Sequence, residues 1–484
     1  MIQFINSQVI KEFFSKSADI VVRPIKINHD NLIVHIFCVD GLVNTTLVDE
    51  SILRPLSLDQ GLRECKTERA VMNYLLEGGA YHLFVSESED FEKILKGVLS
   101  GMAALIFDAE QKVLLFDIRS FEKRSIQEPS DEGVMKGAKD SFIEVMRINT
   151  ALIRRRVRSE YLVVESLTVG KVSKTDISLI YLSNVANIAT VDAIRDKINQ
   201  MDIDNLSTPA FIEEFVIENK KSIFPQIMYT QRPDRCSANI SDGRIALAVD
   251  GIPFVYLLPC QLPMLMQSPE DYANHYVVGS SLRLIRYIAL ILTLFLPAFY
   301  VAATSYQNQM LPVQLALSIQ QAKANVPFTS AFEVMSILIS FEILIEAGLR
   351  LPKTVGTTMS ILGGLIVGQS AVSAQLISPA VVVIVALSGI AGFVLPNQDL
   401  SSAIRLTRFL LVLSACFAGF FGLAVGFIVL LVHLCSLDNY GVAYLSPFVD
   451  VKSLNYIDTL FRFPVKFFQL RPDKIAEQNK TKQK

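Results

Sequence analysis

Three carboxylates stand in one apolar stretch: Glu333, Glu342 and Glu346 all fall within Phe328–Gly348. An ionised carboxylate at hydrocarbon depth is costly and marks a partner, a wet path or an ion pathway. Glu346 has Arg350 four residues on, the spacing of an ion pair along a helix. Glu342 lies one turn before Glu346 on the same face, with no basic residue in its own segment. It is the acid expected to lower the barrier for a passing cation. Glu333 faces the opposite way and is expected at the wet outer end.

A second polar group is isolated in the same manner. Gln369 lies within Val355–Leu376, between Leu362, Leu365 and Val372. On a helix these four share a face on which the leucines and the valine would form a hydrophobic constriction and the glutamine a polar ring. Ser360, Gly364, Gly368 and Ala371 form a small-residue stripe on the other side, of the kind that lets two helices approach closely. The alternative reading is a tight helix–helix contact in which Gln369 is a polar tie.

Elsewhere the chemistry is sparse. The five histidines are far apart in sequence, the six cysteines are scattered without a C-x-x-C pair, and no phosphate-binding loop occurs. No catalytic role, metal or cofactor is expected. A formal net charge of −2 gives no reason to expect nucleic-acid binding.

The elements that position these groups follow from charge distribution. Thr354–Gln398 contains no Asp, Glu, Lys or Arg over 45 residues, enough for about two crossings at roughly 20 residues each. Tyr287–Ala322 and Phe409–Leu437 lack them too. Five apolar segments can be marked: Leu284–Ser305, Phe328–Gly348, Val355–Leu376, Ala380–Leu395 and Phe409–Leu434. The shorter Leu311–Ala322 reads as interfacial or re-entrant. Arg283 and Arg286, Arg350 and Lys353, and Arg405 and Arg408 flank three segments and fall on the cytoplasmic side if the chain spans five times. The basic tail then falls outside, against the usual charge bias. One re-entrant segment, or a fifth segment that is not a simple span, would remove the conflict.

Residues 1–280 have ordinary globular composition, with no long apolar run behind the first few residues. Asn31–Leu42 and Thr175–Ala186 read as buried strands ending in turns at Asp40 and Asn184. Ser100–Ser120 and Ser241–Pro259 read as hairpins turning near Asp108 and at Asp250-Gly251. The two anchors recur at nearly the same offset, which suggests two divergent copies of one α/β unit. The domain reading is an α/β lobe over 1–125, a linker helix in 126–160, a second α/β lobe over 161–280, an α-helical polytopic membrane domain over 281–437 and a basic tail over 438–484. Gly137–Arg158 is expected to be helical, with Arg154, Arg155, Arg156 and Arg158 on a solvated face or a docking surface for anionic groups.

These residues resemble a known family. Leu296-Pro297-Ala298-Phe299-Tyr300-Val301, Asn325-Val326-Pro327-Phe328 and Glu342 through Pro352 are similar to the A subunits of spore germination nutrient receptors, the GerA family. So are Gly363-Gly364, Gly368-Gln369 and Ala371-Val372. In the first half the matching residues include Asp40-Gly41-Leu42, Asn149-Thr150-Ala151-Leu152 with Arg154, Phe224-Pro225-Gln226 and Arg232-Pro233-Asp234. Gly137-Ala138 stands where the family has Gly-Pro, and Thr329 where a second proline is common. The resemblance implies a multi-pass subunit in the inner membrane of the bacterial spore, with its N-terminal half cytoplasmic. Its implied partners are a nutrient-binding B subunit, a lipoprotein C subunit, membrane lipid and further copies of itself, with a pentamer favoured. The implied activity is a nutrient-gated cation channel; the competing reading is a non-conducting scaffold that couples nutrient binding to a separate channel.

Overall fold

The structure, a computed structural model, describes every residue except 1–5, 28–31, 81, 83, 120–131, 133–135, 207, 351–367, 450–457, 473 and 483–484. It divides into two compact units. One comprises 1–218, 227–259 and 468–484, the other 219–226 and 260–467.

The first unit holds two five-stranded antiparallel sheets. Strands β1 (Ile20–Ile27), β2 (Leu32–Val39), β3 (Val85–Ser88), β4 (Ala103–Phe107) and β5 (Lys112–Phe116) form the first, in the order β1-β2-β4-β5-β3. Strands β6 (Leu162–Val169), β7 (Thr175–Leu182), β8 (Met228–Thr230), β9 (Ile245–Val249) and β10 (Val255–Leu258) form the second, in the order β6-β7-β9-β10-β8. Each begins with a hairpin, and each returns its third strand to the far edge. The expected buried strands are β2 and β7, and the expected hairpins are β4–β5 and β9–β10. Each anchor gains an edge strand, β1 and β6, that the sequence reading passed over.

The central strand β4 is buried along its whole length because both faces are covered. Alternation sorts its side chains: Leu105 and Phe107 join Val34, Ile36 and Phe116 on one face. Ala104 and Ile106 turn to the other, against Ile10 and Phe14 at helix α1 (Ser7–Phe13) and against Ile94, Leu95 and Val98 of helix α2 (Phe91–Val98). Asp90 caps α2 by accepting from the Glu92 amide at 3.0 Å.

Between the sheets lies α3 (Met146–Arg156), shorter than the helix expected over Gly137–Arg158. Residues ahead of it are tied as loop: Asn149 Nδ2 donates to the Ile143 carbonyl and the Ile143 amide donates to Asn149 Oδ1 at 2.9 Å. The Phe142 amide donates to the Gln231 carbonyl. The arginine run is not one solvated face. Arg154 is fully buried, donating to both carboxylate oxygens of Asp19 at 2.9 and 2.8 Å and to the Leu162 carbonyl at 2.9 Å. It joins the start of the first sheet to the start of the second. Arg155, Arg156 and Arg158 remain exposed. The second sheet is flanked by α4 (Ile188–Asn199), capped by Asn187, and by α5 (Pro233–Ser241).

The end of the chain is part of this unit rather than a free tail. Arg471 Nε donates to the Ser241 carbonyl at 2.8 Å and Lys482 pairs with Asp242 at 2.5 Å. Ile475 and Ala476 are buried. Gly243, at φ +96°, leaves the space their backbone occupies; a Cβ there would stand 3.1 Å from the Ile475 carbonyl oxygen.

The second unit is a bundle of α6 (Tyr276–Ser305), α7 (Val313–Lys323), α8 (Ser330–Arg350), α9 (Pro379–Phe393) and α10 (Gln398–Ser436). Among the described residues, α6 and α10 are long and apolar enough to cross a bilayer, and α9 is a shorter apolar helix. The segments expected at Leu284–Ser305, Phe328–Gly348 and Ala380–Leu395 correspond to α6, α8 and α9. Most of Val355–Leu376 lies outside the described residues.

The segment expected at Phe409–Leu434 is not one straight span. Helix geometry fails at Ala418 (φ −142°) and Gly419 (φ +60°, ψ −137°), and the chain turns back on itself. The arms 398–417 and 420–436 run side by side. A Cβ on Gly422 would lie 2.0 Å from the Ser414 carbonyl oxygen, and one on Gly426 2.8 Å from Ser414 Oγ. In a straight helix, Gly426 would be roughly 18 Å along the axis from Ser414, at 1.5 Å per residue. These two glycines let the arms touch. Hydropathy hides the turn because 409–437 carries no charge from end to end.

Candidate functional site

The charged side chains of the helical unit gather at three levels. At the near end, where α6 starts, Asp271 is fully buried between Arg283 and Arg286. Arg283 also pairs with Asp458 at 2.8 Å and donates to the Thr459 carbonyl. Arg462 Nη1 donates to the carbonyls of Asp271 and Asn274. Arg283 and Arg286 therefore do not flank the first helix as free charges. They sit inside it, buried; Arg283 holds the segment 458–462 against its first turns, and Arg286 ties the helix to Asp271 and to the Met266 carbonyl.

A few turns along, Glu342 of α8 accepts from Arg405 at 3.1 Å and from Arg408 at 2.9 Å, both on α10. Arg408 is fully buried and also donates to Ser388 Oγ of α9 at 3.2 Å; Ser388 Oγ donates to the Thr293 carbonyl of α6 at 3.1 Å. Four helices are joined through one carboxylate and one guanidinium. The basic residues expected to flank the fifth segment are its ion-pair partners across the bundle. The partner Glu342 lacked within its own segment comes from 63 and 66 residues away. Beside it, a groove of about 640 Å³ runs between α8 and α10, walled by Ile339, Ile343, Leu406 and Phe409. Glu346 and Arg350 form the expected pair at 2.7 Å, both well exposed.

At the far end the third acid behaves unlike its expectation. Glu333 is fully buried, not wet. Its Oε2 accepts from the backbone amide of Ser378, the residue that opens α9, at 2.7 Å. Lys323, at the end of α7, stands 3.6 Å from Oε1 while donating to Ser330 Oγ. Sequence alone makes Glu333 read as a surface group because its partners belong to α7 and α9, which the sequence does not place beside it. The reversal of α10 lies at this end too. Tyr306 Oη, just past α6, donates to the Cys416 carbonyl at 2.6 Å, and the Phe420 amide reaches Gln307 Oε1 at 3.4 Å. Backbone groups freed by the turn are thus met by side chains, as an apolar surrounding demands.

Of the constriction candidates, Leu362 and Leu365 lie outside the described residues, as do Ser360 and Gly364 of the small-residue stripe. Gly368, Gln369, Ala371 and Val372 lie on the short helical stretch 368–373. Gln369 is exposed and Ala371 and Val372 partly so. Among the described residues, a Cβ on Gly368 would meet only Val382 Cγ1, at an ordinary 3.7 Å. Gly422 and Gly426, four residues apart, are by contrast crowded by a neighbouring helical arm, and Gly279 and Gly389 are crowded elsewhere in the bundle.

Among known proteins, the family model described as Bacillus/Clostridium GerA spore germination protein matches residues 8–474. This chain belongs to the GerA family. Spore germination protein KA of Bacillus subtilis (strain 168) is 34% identical over 474 residues, covering 98% of this chain and 86% of that protein. Spore germination protein B1 of the same strain is 31% identical, covering 99% and 98%. The uncharacterized membrane protein YfkQ of that strain is 36% identical, covering 96% and 89%. The crystal structure of the N-terminal domain of the A subunit of the Bacillus megaterium spore germinant receptor GerK3 is similar at 28% identity, covering 52% of this chain and 92% of that one, with a TM-score of 0.41. In this GerA-family chain, several residues that carry the resemblance are structural locks. Arg154 joins the two sheets, and Asn149 holds the loop ahead of α3. Arg232 is buried, pairs with Asp234 at 2.7 Å and donates to the Ala138 carbonyl. Gln226 receives the Asn439 side-chain amide on its carbonyl.

Proposed function

We propose that this chain is the membrane-embedded A subunit of a spore germinant receptor, and that copies of it associate through the segment around Gly368–Val372 into a nutrient-gated cation channel. The observation that carries this is the exposure of Gln369 inside a run of 45 uncharged residues. A glutamine at membrane depth needs a polar partner or water. Neighbouring copies, or a water-filled path between them, supply either. Leu362, Leu365 and Val372 are then the constriction, and Ser360, Gly364, Gly368 and Ala371 the contact between copies. A pentamer, a nutrient-binding B subunit and a lipoprotein C subunit complete the receptor in the inner membrane of the spore.

The bundle supports a definite path through the bilayer. Helix α6 runs from near end to far end, α8 returns, and α9 runs from Glu333 at the far end back to the level of Phe341 and Thr293, a few turns short of the near end. The two arms of α10 go out and back, since Phe420 packs on Phe299 and Phe427 on Phe295. Counting the two arms as two crossings turns the five segments expected from hydropathy into six. Both chain ends then lie on one side, in keeping with the packing of 468–484 into the first unit. That side is the cytoplasm, and the identical strand orders of the two sheets support a duplicated α/β lobe, with the boundaries near 125, 160, 280 and 437 given above.

The scaffold reading has one observation in its favour. Glu342 is held by two arginines and does not stand open in a path. Ion flux from liposomes separates the two. Cation release from vesicles carrying this chain, alone or with its receptor partners plus nutrient, supports conduction; tight vesicles in every combination with assembled receptor support the scaffold.

A further inference from the structure

The corner around Glu333 contains more oxygen than its hydrogen bonds use. One carboxylate oxygen is taken by the Ser378 amide at 2.7 Å. The other, Oε1, is buried and makes no hydrogen bond; Ser378 Oγ and Tyr300 Oη are buried too and reach each other only as a loose pair. The Tyr300 hydroxyl lies beside Ser378 and in the field of Glu333. All three residues are more than nine-tenths buried. They come from three helices, α6, α8 and α9, so the arrangement is a product of tertiary packing and not a local turn. Polar atoms left unmet in such a place are costly, and a ligand that meets them is favoured.

Among the described residues the cation paired with this corner is Lys323, and it fits poorly. Its ammonium stands 3.6 Å from Oε1, beyond a direct hydrogen bond, and turns to Ser330 Oγ instead. Its side chain is 28% exposed, so it can swing into water without unfolding the bundle. A full negative charge with two hydroxyl oxygens, and a tethered cation at arm's length, is a donor set for a monovalent cation. A divalent ion would call for more carboxylates, and among the described residues no group of three or more His, Cys, Asp and Glu side chains is placed to hold a metal.

We propose that Glu333 Oε1, Tyr300 Oη and Ser378 Oγ form a binding site for a monovalent cation, an alkali ion or ammonium, and that Lys323 is its built-in competitor. When the lysine faces Glu333 the site is closed; when it moves to solvent a free cation takes its place. The site lies at the far end of the bundle and does not depend on whether the chain conducts, since it is an equilibrium property of one bundle.

The test uses the full-length protein in detergent micelles, with equilibrium binding of ²²Na⁺ or ⁸⁶Rb⁺ and choline chloride to hold ionic strength. Lys323→Gln is expected to raise cation affinity about tenfold over the wild type, equivalent to roughly 1.4 kcal/mol, and Lys323→Arg is expected to leave it at the wild-type level. Adding Glu333→Gln to Lys323→Gln is expected to abolish binding. Adding Tyr300→Phe or Ser378→Ala, each of which removes one oxygen and little volume, is expected to weaken it several-fold with elution volume unchanged. Ammonium chloride competing as well as sodium or rubidium marks ammonium as an equal occupant. Binding by Lys323→Gln no better than wild type, or binding that ignores both Tyr300→Phe and Ser378→Ala, overturns the site. The last two variants decide the matter even where Glu333→Gln fails to fold.

Discussion

Tyr306 and Cys416 meet at the far end of the bundle, the tyrosine hydroxyl donating to the cysteine carbonyl at 2.6 Å where α10 turns back. That bond, with Gln307 on the Phe420 amide, is what allows a helix to reverse in an apolar setting. Removing the hydroxyl in Tyr306→Phe leaves a carbonyl unmet and should cost about 1–3 kcal/mol. Gly419→Ala should cost more. It forces a side chain into a backbone region open essentially to glycine, and its Cβ would stand 2.6 Å from Gln307 Oε1. Thermal stability of detergent-extracted protein, followed by size exclusion, checks both. An unchanged melting point for Gly419→Ala would mean that 398–436 is a continuous helix.

Glu342 gives the second prediction. Glu342→Gln leaves Arg408 buried without a counter-charge, at a cost of about 3–5 kcal/mol for a broken buried pair. Because Glu342 is 28% exposed, the lower end of that range is expected. Protein level in the membrane should fall. The double variant Glu342→Gln, Arg408→Gln should recover part of the loss. A single variant that accumulates normally yet slows cation release would instead place Glu342 on the conduction path.

Gly368 separates packing within a chain from packing between chains. Among the described residues a side chain there meets only Val382, at 3.7 Å, so Gly368→Leu should leave the fold of one chain intact. Self-association should be lost if the stripe is the contact between copies. Native sizing and crosslinking read this directly, and an oligomer of wild-type size would end that assignment. On the same stretch, Val372→Ala should leak cations without nutrient if the valine closes the constriction.

Arg154 gives a prediction for the α/β unit. Arg154→Ala strands the carboxylate of Asp19, itself only 7% exposed, and removes the tie between the two sheets. A loss of about 3–5 kcal/mol is expected. Denaturant unfolding followed by circular dichroism would register it; a shift under about 0.5 kcal/mol, the size expected of an ordinary surface change, would show the pair to be dispensable.

Thiol chemistry tests burial independently. Burial, and next the charge of Asp40, push the Cys38 thiol up to about 11, and burial alone raises that of Cys236. Both should stay mostly unlabelled by maleimide at pH 8 in the native protein, while the exposed Cys435 reacts. As pH rises toward 11 the thiolate fraction of Cys38 grows and its labelling should accelerate. Prompt labelling of Cys38 at pH 8 would contradict the packed first sheet.

Some of this protein is decided by local sequence. The 45-residue run without charge dictates an apolar helical half, because no soluble surface can be built from it. The strands β2 and β7 and the hairpins β4–β5 and β9–β10 are legible from alternation and from turns such as Asp250-Gly251, since strand period and turn geometry are short-range. The pair Glu346–Arg350 is legible too, being four residues apart on one helix.

Other features exist only in the folded chain. Glu342 with Arg405 and Arg408, Glu333 with Ser378 and Lys323, and Asp19 with Arg154 are partners far apart in sequence, and a charge reads as free until its partner is placed. The reversal at Ala418-Gly419 is invisible to hydropathy because both arms are equally apolar. Its signal was geometric: glycines at 419, 422 and 426, whose need for space is defined only by the arm and the side chains that pack against them. Composition measures what a segment can dissolve in. Only tertiary packing decides which way it runs and what its polar atoms meet.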